Sequence, residues 1–291
     1  MIQNNNISVL PWYTSIEQQN HRKSYAYGTI YPLFTPKRTL LPFQIMRNTS
    51  SRNITGAQLY DKNGVLFADI TTALKETGLQ IVPFASLGYD VIVYPSLLPF
   101  AIDTPDGIYY ARMTDGVNVW YSEMFTIVGD LSGYLKIEWY DVENFVFDAG
   151  QIVYQNPKFH NVLYLCTELG KPEYTFEEEG ETRDGYFFPE KQISEKTYRC
   201  MALAPEYLCD VMRFIRMSDK VFVTDKYGRQ YDCDTFLITP KWQTQGGLAS
   251  VEIEFETATV AKKIGRGYIT PGRKGDFNND FNNDFNNDFK I

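Results

Sequence analysis

The 291-residue chain carries 36 acidic against 28 basic side chains, a net charge of −8, with 44% hydrophobic and 22% charged positions. This is the composition of a folded protein, and its acidic balance argues against a general nucleic-acid binder, which needs a basic face to release counterions from phosphates. No stretch reaches the roughly 20 apolar residues that cross a bilayer, so no membrane insertion is expected.

Residues 1–50 read as an N-terminal arm in which Pro, Asn and aromatic residues mix without a helical period. Met1–Asn6 lacks the basic and apolar regions of a signal peptide, which places synthesis in a cytosol. From Trp12 to Phe43 the arm is irregular or forms edge strands punctuated by Pro32, Pro36 and Pro42. A first domain over 51–130 is strand-like. Ala57–Tyr60 runs into Asp61-Lys62-Asn63-Gly64, an Asn-Gly turn, and out through Val65–Phe67, a strong hairpin signal. A short helix or turn spans Thr71–Glu76, closed by Gly78. Strands follow at Leu79–Pro83, Asp90–Tyr94, Gly107–Thr114 and Val117–Val128, with Thr114-Asp115-Gly116 turning the third into the fourth. Short strands between turn signals imply a β-sandwich.

A second domain over 131–262 has strands at Tyr134–Tyr140, Gly150–Tyr154, Phe159–Glu168, Thr197–Ala202, Lys220–Thr224, Gln230–Ile238 and Leu248–Thr257. Inside it, Phe176 to Gly185 is an acidic excursion that reads as an exposed loop or hairpin tip. Pro205 opens the one firm helix, 205–217, on which Tyr207, Leu208, Val211, Phe214 and Ile215 share a face. Residues 263–291 form a low-complexity, disordered tail. Glycines and basic residues mix between Lys262 and Lys274, and Asp-Phe-Asn-Asn then repeats from Asp276. Such a sequence cannot bury enough surface to offset its ordering entropy. Phe277, Phe281, Phe285 and Phe289 either dock the tail on a partner or have no role. The expected fold class is mostly β: two β-sandwich-type domains, the second with one flanking α-helix. With 21 Tyr and 20 Phe, the aromatic excess also suits pleated, half-buried surfaces.

Signals for catalysis are weak. The chain has no serine nucleophile elbow, HExxH, phosphate-loop or dinucleotide-binding glycine motif. Glu252 with Glu254, and Asp232 with Asp234, share strand faces at i, i+2; solvated faces explain them better than a metal or glycosidase site. The run Glu177–Glu181 lacks the spacing of a calcium loop and reads as a solubilising loop. Cys166, Cys200, Cys209 and Cys233 lack metal spacing and are expected as buried free thiols. His21 is expected to be exposed, and His160 packed or hydrogen-bonded on a strand. The sequons at Asn48 and Asn53 carry no weight without secretion. No catalytic residue, metal or cofactor is therefore expected. Trp120 and Trp242 are core or interface anchors, since a buried aromatic contributes large area with few rotors to freeze. The candidate interface residues are Trp12, Tyr13, Phe34, Trp120, Tyr121, Tyr186, Phe187 and Trp242.

Two stretches resemble tail and baseplate proteins of tailed bacteriophages. Pro105–Tyr110 through Asp115-Gly116 to Trp120–Phe125 looks like the closing hairpin of an immunoglobulin- or fibronectin-like sandwich. Lys196 to Lys263 runs strand, helix, Lys220–Asp225, the turn at Tyr227-Gly228, Tyr231–Trp242 and the closing strand Ser250–Thr257. That order is similar to the tube-like domain of distal tail proteins. The resemblance covers about half the chain and implies a structural virion component, not an enzyme. It would be made in a bacterial cytoplasm and form a homo-oligomeric ring, six subunits being the expected number, that links the tail tube to other tail or baseplate proteins. The long arm, the sandwich placed before the tube-like domain and the Asp-Phe-Asn-Asn tail depart from that pattern. The competing reading is a carbohydrate-binding or adhesin-like sandwich that uses exposed Tyr and Trp as sugar platforms.

Overall fold

The computed structural model describes residues 8–20, 33–84, 88–142, 145–146, 154–155, 159–242 and 247–263. His21, most of the expected strand Gly150–Tyr154 and the expected tail beyond Lys263 lie outside these residues. The protein is mostly β, as its composition implies. It divides into two compact units, Met1–Pro172 with Tyr198–Thr257, and Glu173–Thr197 with Ala258–Ile291.

The first unit opens with β1 (Trp12–Tyr13), β2 (Leu33–Pro36), β3 (Phe43–Asn48), β4 (Gly56–Asp61) and β5 (Leu66–Asp69). Helix α1 (Thr71–Thr77) follows, then β6 (Gln80–Phe84), β7 (Tyr89–Tyr94), β8 (Gly107–Thr114), β9 (Val119–Ser122) and β10 (Phe125–Val128). One sheet is built on β8, which pairs with β4 along one edge and with β9 and β10 along the other. The expected long strand Val117–Val128 is therefore interrupted at Glu123–Met124. Its two pieces take different outer neighbours: β9 pairs with β1, and β10 with β2 in parallel. Of the two readings of the Pro-punctuated arm, its described part follows the edge-strand one.

The interruption centres on one buried carboxylate. Glu123 turns inward, where its carboxylate accepts from the Tyr13 hydroxyl at 3.2 Å, the Asn20 amide at 2.6 Å and the Met124 amide at 3.1 Å. A continuous strand would have spent the Met124 position on the ladder instead.

A second sheet, β3-β7-β6, lies against the first, with the Trp12 and Phe43 rings 4.7 Å apart. Its central strand β7 reads as an apolar run rather than an alternating one because both its faces are covered. Ile92 and Tyr94 join the main core, while Val91 and Val93 pack with Met46 and Phe159 on the other side. A buried cation ties the two sheets together. Arg47 of β3 donates to Asp115 in the β8–β9 turn at 2.9 Å and lies 3.5 Å from Asp90 of β7. Asp115 in turn accepts from the Val117 and Asn118 amides, which fixes the turn.

The remaining strands are β11 (Leu135–Tyr140), β12 (Phe145–Val146), β13 (Tyr154–Gln155), β14 (Asn161–Leu165), β15 (Glu173–Arg183), β16 (Tyr186–Ala204), β17 (Lys220–Thr224), β18 (Gln230–Trp242) and β19 (Ala249–Lys263). In the first unit they run in the order β14-β11-β17-β18-β19-β16. Alternation sets their faces: Leu135, Ile137 and Trp139 point inward from β11, and Val251, Ile253 and Phe255 from β19. The expected helix 205–217 is shorter. Helix α2 (Glu206–Met212) buries Tyr207, Leu208, Val211 and Met212, and the chain tightens into a 3-10 turn at Ile215–Met217. One apolar cluster runs from Val9 and Trp120 to Trp139, Leu208 and Phe255, so both sets of strands in this unit share a core.

Candidate interaction site

The described part of the second unit is a long hairpin made of β15 and the first part of β16, together with the end of β19 from Ala258 to Lys263. Its tip is Asp184-Gly185, both with positive φ, 50° and 83°, the primed turn that matches the right-handed twist of the flanking strands. Midway, the register shifts between Glu179 and Gly180, an irregularity that needs glycine. A Cβ on Gly180 would overlap the Phe188 carbonyl oxygen and the Pro189 Cα.

Register sorts the side chains onto two faces. Glu177, Glu179 and Glu181 share one, opposite Ile193, Lys191 and Phe188. Tyr174, Phe176 and Thr182 share the other, opposite Lys196, Ser194 and Phe187. Polar contacts brace the shaft: Gln192 donates to Glu178 at 2.6 Å, Lys191 lies 3.7 Å from Glu179, and the Lys196 ammonium sits 5.8 Å from the Tyr174 ring centre. The apolar residues are left to solvent. Tyr174 is 69% exposed, Phe176 64% and Tyr186 71%, and Phe187 and Phe188 are about half exposed. A single layer of strands has no interior in which to hide such rings.

The residues singled out from the sequence do not form one patch. Trp12, Tyr13 and Trp120 are buried in the chain's own core and are not available to a second molecule in this conformation. Phe34 is half-buried, its ring 4.7 Å from that of Tyr134, and Tyr121 is half-buried between Arg112 and Tyr13 in the sheet. Tyr186 and Phe187 stand at the hairpin tip, and Trp242 is exposed at the end of β18. Tyr174, Phe176 and Phe188 were not singled out. Their signal was the alternation of aromatic and polar residues leading to Asp184-Gly185, masked by the density of charge. Of the two readings of the excursion Phe176 to Gly185, exposed loop or hairpin tip, the structure follows the hairpin one: it is the outgoing strand and the turn, so Glu177–Glu181 lie on a strand.

The acidic pair Glu252 and Glu254 on β19 is neutralised locally. Lys241 bonds Glu252 at 2.9 Å and holds its carboxyl below the usual range, and Arg199 bonds Glu254 at 2.6 Å. His160 is packed and hydrogen-bonded: its ring stacks on Tyr140, and Nδ1 lies 3.0 Å from Glu138. Burial opposes ionisation of Glu138, but the bonds from Lys136 and His160 outweigh it and keep its pKa below the ordinary value. Burial pushes the Cys200 thiol up to about 12 and that of Cys209 to about 11, which removes thiolate at neutral pH. Cys166, by contrast, is exposed rather than buried. Among the described residues no group of three or more His, Cys, Asp or Glu is placed to hold a metal, and no helix is long and apolar enough to cross a membrane. No protein-family model, curated protein or solved structure matches the chain significantly.

Proposed function

We propose that this chain is a structural subunit that assembles with copies of itself, a ring-forming component of the tail or baseplate of a phage-like particle that joins the tail tube to other tail proteins. One observation supports assembly above the others: the hairpin Glu173–Thr197 carries five solvent-exposed aromatic rings on a ribbon with no core of its own. Exposed aromatic clusters of this kind mark protein-binding surfaces, where Tyr and Phe contribute large area at low entropic cost. The phage assignment rests on the strand order and helix placement of Lys196–Lys263, and the virion is the location it implies. The carbohydrate-binding alternative loses two of its platforms, because Trp12 and Trp120 are core residues.

The test is the absolute mass of the purified chain by light scattering across concentrations. The triple variant Tyr174→Ser, Phe176→Ser, Phe187→Ser is run in parallel, with its fold checked by circular dichroism. A discrete closed oligomer, six subunits expected, that falls to monomer in the folded variant supports the reading. A wild-type monomer at every concentration, or an oligomer indifferent to the variant, sinks it.

A further inference from the structure

Along β11 the inward positions are Leu135, Ile137 and Trp139, all apolar, and the next in phase is Asp141. The ladder between β11 and β17 ends at the pair Tyr140 and Lys220, so Asp141 and Asp219 stand across from each other one step beyond it. Each carboxylate caps the other strand. Asp141 Oδ1 accepts from the Asp219 amide at 3.1 Å, and Asp219 Oδ2 accepts from the Val142 amide at 2.9 Å.

The two acids are not equivalent. Asp219 is exposed, whereas Asp141 is only 1% exposed and its Oδ2 accepts no hydrogen bond among the described residues. A buried carboxylate oxygen without a donor is costly while it is charged. No cation offsets that cost. Lys136 and His160 are engaged with Glu138 on the other face of β11, and Lys220 at the ladder end is exposed. The one charge that bears on Asp141 is the like charge of Asp219. Burial, with that neighbour added, outweighs the bond from the Asp219 amide and raises the Asp141 pKa above the ordinary aspartate value.

We propose that Asp141 is a proton-operated clamp on the end of the β11–β17 ladder: with a proton on Oδ2 the end is closed, and loss of that proton to solvent loosens it. Oδ1 accepts the Asp219 amide in both states, so only Oδ2 changes. Burial fixes the direction. A folded-state pKa above the unfolded value, near 3.9, contributes stability that is fully present below that value. It is lost as pH rises through the folded one. The clamp does not depend on the chain's role in assembly.

Asp141→Asn tests this on the full-length chain, because it keeps the side chain's shape and its Oδ1 acceptor but cannot ionise. At about pH 7 its urea midpoint should exceed that of the wild type by roughly 0.3 M or more, and the gap should close toward about pH 4. Hydrogen exchange at the Val142 and Asp219 amides, corrected for the intrinsic pH dependence of exchange, reads the ladder end itself. Protection there should fall at least about three-fold between about pH 5 and pH 7 in the wild type and stay level in the variant. Should the variant not fold, the carbon-13 shift of the Asp141 carboxyl in the wild type follows the proton directly, with a midpoint expected above about 4. A variant less stable than wild type at neutral pH, a gap independent of pH, wild-type protection that does not change, or an Asp141 midpoint below about 4 would each overturn the proposal. So would a wild-type midpoint that millimolar calcium or magnesium raises at neutral pH but that the variant does not share, since the two carboxylates would then hold a cation rather than govern a proton.

Discussion

Arg47 is a guanidinium almost without access to water, and its stability comes from two carboxylates brought from different sheets. Charges taken out of solvent stabilise a fold only while their partners remain, so removing one member costs more than the pair itself contributes. For Asp115, burial favours the neutral acid, but bonds from Asn118, Val117 and Arg47 outweigh it and leave its pKa below the ordinary aspartate value. A depressed folded-state pKa contributes stability that is fully present above the unfolded value, near 3.9. That contribution is lost as pH falls through the lower folded value. Asp115→Asn should cost about 3 kcal/mol at neutral pH in urea unfolding. The gap between variant and wild type should close as pH is lowered past about 4. A gap that stays constant or widens in acid would contradict this account of the turn.

At the scale of elements, the hairpin depends on its irregularity. Gly180→Ala places a methyl group against the backbone of Phe188 and Pro189, which cannot move aside as a flexible side chain can. The expected outcome is loss of amide protection in β15 from Gly180 toward the tip, seen by hydrogen exchange, while β11 and β19 are unaffected. Equal protection along the whole strand would show that the shift is dispensable. The elements that were legible in the sequence were those with strict alternation and a glycine turn: β8 and β17 fall where periodicity puts them. The interrupted strand at Glu123 was not, because its cause is a buried carboxylate whose partners, Tyr13 and Asn20, lie more than 100 residues away. Nor did composition separate Trp120, which is core, from Tyr186, which is exposed: an aromatic ring reads the same on either side of a sheet. The hairpin was half legible, its charge visible but its strand character hidden because Glu is a poor strand former.

In the molecule as a whole, Trp12 and Trp120 sit in the first set of strands and Trp139 in the second, yet all three belong to one apolar cluster. A shared core predicts one cooperative transition for these strands. Variants that keep only Trp120 or only Trp139 as the buried fluorophore should unfold in urea with coincident midpoints; separation by more than about 0.5 M would mean two independent cores. The order in which the chain is made bears on this core. Tyr13 and its partner Glu123 are 110 residues apart, so β1 has nothing to pair with until β9 has left the ribosome. At 5–20 residues per second that wait is roughly 5–20 s. Through it Val9, Leu10, Trp12 and Tyr13, all buried in the finished protein, must stay in solution or be held by a chaperone. The segment around β1 thus takes its place only when β9 arrives, long after its own synthesis.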